Sequence, residues 1–176
     1  MLGAAGAVLC LAAGTALGSW MRERRVARWR MLQAEMDAVS GMRLLLEQER
    51  PALPELLFSC AGYISSGTGA DQMAERLICT AETLEKQPLR PLAEAYAAAC
   101  MQIASPWEKP EEGAAMEMLF RQLDCGTADM RGQAAAACLR KLRPLEEEAR
   151  AEAQRGGRMC MQLGMLLGIM AGIALW

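Results

Sequence analysis

The apolar positions of this chain fall into two kinds of pattern. At each end lies a run without a single charged residue: residues 1–21, MLGAAGAVLCLAAGTALGSWM, and residues 159–176, MCMQLGMLLGIMAGIALW. Between them apolar residues recur every three or four positions, the period of an amphipathic helix, with almost no strand-like alternation. As helices rising about 1.5 Å per residue, the terminal runs would each reach roughly 27–32 Å, close to the thickness of a hydrocarbon core. They are read as transmembrane helices. A cleaved signal peptide would carry its basic residues ahead of the apolar stretch, whereas here they follow it in RERRVARWR, a stop-transfer arrangement. A lipoprotein signal at Cys10 is disfavoured by the bulk of Leu9. The alternative for the second run is a buried core helix, but a bare stretch ending on Trp176 suits a membrane interface better.

The interior reads as about six helices. Trp29, Leu32, Met36, Val39, Met42 and Leu46 share one face, so the first span is expected to continue into a long helix that Pro51 and Pro54 end. Pro54 suits the first turn of a short helix with Leu56, Leu57, Cys60, Ala61 and Ile64 inward. SSGTGAD reads as a turn, with Thr68 or Asp71 as the cap of the next helix, whose stripe is Met73, Leu77, Ile78, Ala81 and Leu84. After KQPLRP, Pro91 opens a helix facing inward with Leu92, Tyr96, Ala99 and Ile103. SPWEKPEEG reads as a loop before Met116, Leu119, Phe120 and Leu123. CGTAD then stops that helix, with Gly126 in the C′ position and Thr127 or Asp129 as the next N-cap. The last helix carries Ala135, Cys138, Leu139, Leu142 and Leu145; Pro144 is expected to kink or divide it, and Arg155–Gly157 to bend it at the membrane surface.

Charge sets the orientation. Arg22, Arg24, Arg25, Arg28 and Arg30 follow the first span, opposed only by Glu23, and Arg150, Arg155 and Arg158 precede the second. The positive-inside rule therefore expects residues 22–158 to form a cytoplasmic helical domain between two spans. A mean hydropathy of +0.07 in a chain with 23% charged residues fits apolar residues gathered at the ends. The arginines, with Arg158, are candidate contacts for anionic lipid headgroups, and the net charge of −2 argues against a nucleic-acid partner.

Candidate chemistry is sparse. The chain has no histidine, which removes Ser-His, Cys-His and His-based zinc arrangements. No phosphate-binding G-x-x-x-x-G-K-[ST] loop is present, and SSGTG follows no strand. The seven cysteines form no C-x-x-C pair and are expected to be reduced thiols acting as small hydrophobes. The carboxylates of LEEEARAE read as a solvated face. No enzyme activity, cofactor or metal is expected.

The terminal runs offer packing surface instead. Gly164, Gly168 and Gly172 fall at intervals of four, and Gly14 and Gly18 repeat the spacing in the first run. In lipid such small residues let helix backbones approach closely, either within one chain or between copies, so a homo-oligomer is compatible with the pattern. The arginines of 22–30 and the LEEEARAE face are candidates for complementary charged contacts with partners.

These residues resemble a known family, stage III sporulation protein AB. LDCGTADMRGQ is similar to that family's motif at Leu123, Gly126, Asp129 and Gln133. RMCMQLGMLLGIMAGIALW is similar to its closing span at Arg158, Leu163, Gly164 and Gly168, and LGAAGAVL to its opening. Pro144, the seven cysteines and the long SPWEKPEEG loop depart from it. The resemblance implies a role in endospore formation at the mother-cell side of the forespore outer membrane. It also implies a cytoplasmic domain like the helical domain of type II secretion and type IV pilus platform proteins. The implied partners are a cytoplasmic secretion-type ATPase of the same operon and other stage III sporulation channel proteins. A membrane-anchored adaptor of a secretion or pilus-like system outside sporulation, and a cysteine-dependent membrane enzyme, are the competing readings.

Overall fold

The computed structural model describes residues 2–48, 51–64, 68–103 and 109–174, with side-chain surroundings from residue 12 to about 155 and at Leu166 and Met170. Among the described residues there are six helices and no strand: α1 Leu2–Gln48, α2 Leu53–Tyr63, α3 Thr68–Lys86, α4 Leu92–Gln102, α5 Pro110–Cys125 and α6 Ala128–Ala174. Two compact units result, Met1–Trp29 with Glu147–Trp176, and Arg30–Glu146.

Local chemistry sets most helix ends. α1 stops ahead of Pro51, and α2 opens with Pro54 in its first turn, its ladder starting where Leu56 N–H donates to the Ala52 carbonyl at 2.8 Å. α5 begins at Pro110, and the Glu112 carboxylate accepts the Lys109 N–H at 3.0 Å, one half of a capping box. Pro110, Glu111, Glu112 and Gly113 therefore belong to a helix, so the SPWEKPEEG loop is shorter than expected. α6 starts where the Thr127 carbonyl accepts the Arg131 N–H at 2.9 Å.

Of the expected breaks, the division at Pro144 is corrected: Pro144 lies inside α6, whose assignment runs on through Arg155–Gly157. A proline removes one donor from the ladder, and the forty-odd remaining residues carry the helix past it. Gly126 has φ −101° and ψ 155°, an extended conformation open to any residue, so it is not a left-handed C′ glycine. Its lack of a side chain serves space instead. A Cβ there would lie 3.1 Å from the Gln122 carbonyl oxygen and 3.2 Å from the Met130 Cβ.

In the unit Arg30–Glu146, α2 packs on α3, α3 on α4 and α4 on α5. Leu32, Met42, Leu56, Leu57, Met73, Leu77, Leu92, Met116, Leu119 and Leu123 are fully buried, and Phe120 meets Tyr96 with ring centroids 4.1 Å apart. Each such side chain contributes about 1.5–3 kcal/mol by leaving water. The expected inward face holds for α5 throughout and for α3 at Met73, Leu77, Ala81 and Leu84. Ile78 is exposed and Thr80 is buried in its place, its hydroxyl returned to the Arg76 carbonyl at 2.7 Å.

Two contacts between distant residues tie this unit together. The Leu92 N–H at the start of α4 donates to the Asp124 carboxylate on α5 at 3.1 Å, placing a negative charge at a helix N-terminus. Arg76, almost fully buried on α3, donates Nε–H to the Ile103 carbonyl just beyond α4 at 3.0 Å. A third is steric. At Gly69 in α3 a Cβ would fall 2.7–2.9 Å from the backbone of Arg30 and Met31 in α1, so glycine alone permits that approach.

Candidate interaction surfaces

The first candidate surface lies in the unit of Met1–Trp29 and Glu147–Trp176. Gly18 is buried and Gly14 half-buried, and on α6 Ala149 and Ala153 are buried as well. Large apolar side chains point the other way: Leu17 is 60% exposed, Trp20 49%, Leu166 57% and Met170 68%. Ala12, Ala13 and Ala16 are exposed beside them, so burial in this unit selects Gly18, Ala149 and Ala153 rather than small residues in general. Ala149 and Ala153 are members of this small-residue face that the sequence reading missed. Their spacing of four was visible in LEEEARAEAQ, but the carboxylates around them pointed to a solvated face. Gly164, Gly168, Gly172 and Arg158 lie in α6, and their side-chain surroundings fall outside the described residues.

The arginine cluster divides. Arg22 and Arg24 are exposed, Arg25 is half-buried and Arg30 is exposed at the start of the other unit. The Arg24 guanidinium lies 4.2 Å over the Trp20 ring, a cation–π contact that sets a charge against an interfacial aromatic. Arg28 differs. It is only 7% exposed, and its Nη1–H donates to the Glu152 carboxylate of α6 at 2.8 Å. Its charge is engaged within the protein rather than offered outward, and Glu152 of LEEEARAE is its partner.

The second candidate surface surrounds the motif of Leu123, Gly126, Asp129 and Gln133 in the unit Arg30–Glu146. Leu123 is buried in the core, whereas Asp129 and Gln133 are exposed. Gly126 and Gln133 line a groove of about 480 Å³ between α5 and α6. Asp129 and Gln133 line a second of about 350 Å³ that Arg43, Leu46 and Glu47 of α1 complete.

Among the described residues no group of three or more Cys, Asp or Glu side chains is placed to hold a metal ion. The five described cysteines are free thiols. Cys60 and Cys138 are buried hydrophobes whose thiols burial pushes up to about 12, the nearby Glu35 charge adding to the effect at Cys138. Cys125 is exposed and does not fit the expected role of a small buried hydrophobe.

Among the described residues no helix is long and apolar enough to cross a membrane. The side chains of residues 1–11 and of most of 159–174 are outside that description, so the two spans at 1–21 and 159–176 rest on the sequence.

Together these features define a protein that is all-helical among the described residues. The family model for stage III sporulation protein AB matches residues 3–176, and the chain belongs to that family. Membership carries with it a role in stage III of sporulation. No curated protein and no solved structure matches the chain.

Proposed function

We propose that this chain is a non-enzymatic membrane platform of the channel between mother cell and forespore, docking a cytoplasmic secretion-type ATPase together with other stage III sporulation channel proteins. The terminal segments 1–21 and 159–176 span the forespore outer membrane, and residues 22–158 face the mother-cell cytoplasm. The observation that supports this reading is the burial of Gly18 with Leu17, Trp20, Leu166 and Met170 outward. Outward large apolar side chains are unfavourable in water and favourable in hydrocarbon, where small residues form the helix contact. Arg22 and Arg24 beside Trp20 suit the headgroup layer on the cytoplasmic side.

Deletion of the gene is expected to block sporulation after engulfment while leaving vegetative growth normal. A growth defect with normal spores would overturn the reading. Within the same assay Gly168→Leu keeps the protein in the membrane and lowers spore yield by weakening assembly. Unchanged spore yield would remove the glycine seam from the mechanism.

A further inference from the structure

The groove between α5 and α6 has a chemistry of its own. Its lining includes Arg121, Cys125, Gly126, Met130, Gln133 and Arg140, and no carboxylate. This is unusual in a chain with more acidic than basic residues. Arg121 holds Glu117 at 2.6 Å, but both side chains are well exposed, so water and competing carboxylates exchange with that pair at little cost. Arg140 is exposed and has no hydrogen-bond or ion-pair partner among the described residues. Glycine at 126 keeps the floor low, since a Cβ there would press on Gln122 and Met130. Met130, 60% exposed, adds an apolar anchor at the rim.

We propose that this groove is the seat of an acidic segment from a protein partner. Planar guanidinium groups pair bidentately with carboxylates, and Arg121 and Arg140 bring two of them to one groove. The exposed methionine and the Gln133 amide beside them match the side chains and backbone of a peptide, whereas a lipid or nucleic-acid phosphate would use the arginines alone. The inference deepens the platform reading and rests on it only for the compartment in which the partner is sought.

The test uses the full-length chain in the membrane of sporulating cells, with a photoreactive phenylalanine analogue at Gln133. The expected result is a crosslink to a protein segment carrying at least two neighbouring carboxylates. Arg121→Glu with Arg140→Glu reduces the yield about tenfold, and Lys at both positions retains most of it, because the charge is kept. Exchange of the captured carboxylates for Lys restores the crosslink to the Glu variant. Arg90→Glu, outside the groove, leaves the yield unchanged. A crosslink only to lipid, to nucleic acid, to a second copy of this chain or to a segment without carboxylates would overturn the inference. So would no crosslink, or a yield indifferent to charge reversal. Normal sporulation in the deletion strain, together with a charge-dependent crosslink in the strain that carries the full-length chain, would count against the platform reading alone. A charge-indifferent crosslink in a strain that needs the gene for spores would count against the groove alone.

Discussion

The two compact units of this protein bury opposite things. Arg30–Glu146 encloses Leu, Met, Phe and Tyr side chains and turns most of its charges outward. The unit of Met1–Trp29 and Glu147–Trp176 encloses Gly18, Ala149 and Ala153, with one paired arginine, and turns Leu17, Trp20, Met21, Leu166 and Met170 outward. The same physics produces both patterns if the surroundings differ. Where water surrounds a helix, apolar area drives burial; where the surroundings are apolar, that drive vanishes and close backbone approach decides what lies inside.

The widest contrast between the units is in the effect of truncating a large side chain. Phe120→Ala removes a fully buried ring against Tyr96 and is expected to lower stability by about 3–5 kcal/mol in denaturant unfolding of the detergent-solubilised protein. Leu17→Ala in the other unit is expected to change it by less than about 0.5 kcal/mol. Equal losses would erase the distinction.

Adding a methyl group tests close approach. Gly69→Ala forces a Cβ into the backbone of α1 and is expected to cost about 1–3 kcal/mol. Gly132→Ala, where nothing lies within 4 Å of the added carbon, gains about 0.5–1 kcal/mol from helix propensity. A neutral Gly69→Ala would mean that α1 and α3 are not held at this distance.

The ion pair between Arg28 and Glu152 should show a coupling of about 0.5–1 kcal/mol in a double-mutant cycle, since Glu152 is partly exposed and water screens it. A coupling near zero would mean that the pair adds nothing to the stability of that unit.

The smallest effect at neutral pH concerns the thiols of the Arg30–Glu146 unit. Cys60 and Cys138 titrate near 12 in the folded protein, above the ordinary value of 9.0. The folded state therefore holds protons that the unfolded chain releases, and this contribution is intact below pH 9 and lost as pH rises toward 12. Denaturation midpoints should fall less between pH 8 and about 10.5 in the Cys60→Ala, Cys138→Ala double variant than in the native protein. Parallel decline in both would assign the loss to other groups.

Much of the fold was legible because helix formation is local. The stripe of Met116, Leu119, Phe120 and Leu123 is buried throughout, and Pro51, Pro54, Pro91 and Pro110 stand at or beside helix starts and stops. Division of the last helix at Pro144 was over-read: the residue lies within one long helix because the turns on either side outweigh a single lost donor. Arg76 escaped notice because a guanidinium amid Met73, Leu77 and Thr80 is improbable as core until an acceptor such as the Ile103 carbonyl is seen to meet it. Of the candidate surfaces, the glycine spacing and the Gly126–Gln133 motif were visible in the letters. Their continuation through Ala149 and Ala153, and the groove at Gln133, were not.

The chain by itself determined an all-helical protein, the placement of its helices, the uncharged ends and its resemblance to the sporulation family. These follow from periodicity, proline and charge, all read over a few neighbouring residues. Only the tertiary structure decided that Asp124 caps α4, that Gly69 meets the backbone of α1, that Arg28 pairs with Glu152, and that Arg121 and Arg140 flank one groove. Each of these joins residues separated along the chain, from the 19 positions between Arg121 and Arg140 to the 124 between Arg28 and Glu152. Distances of that kind are set by how helices pack, and no local pattern encodes them.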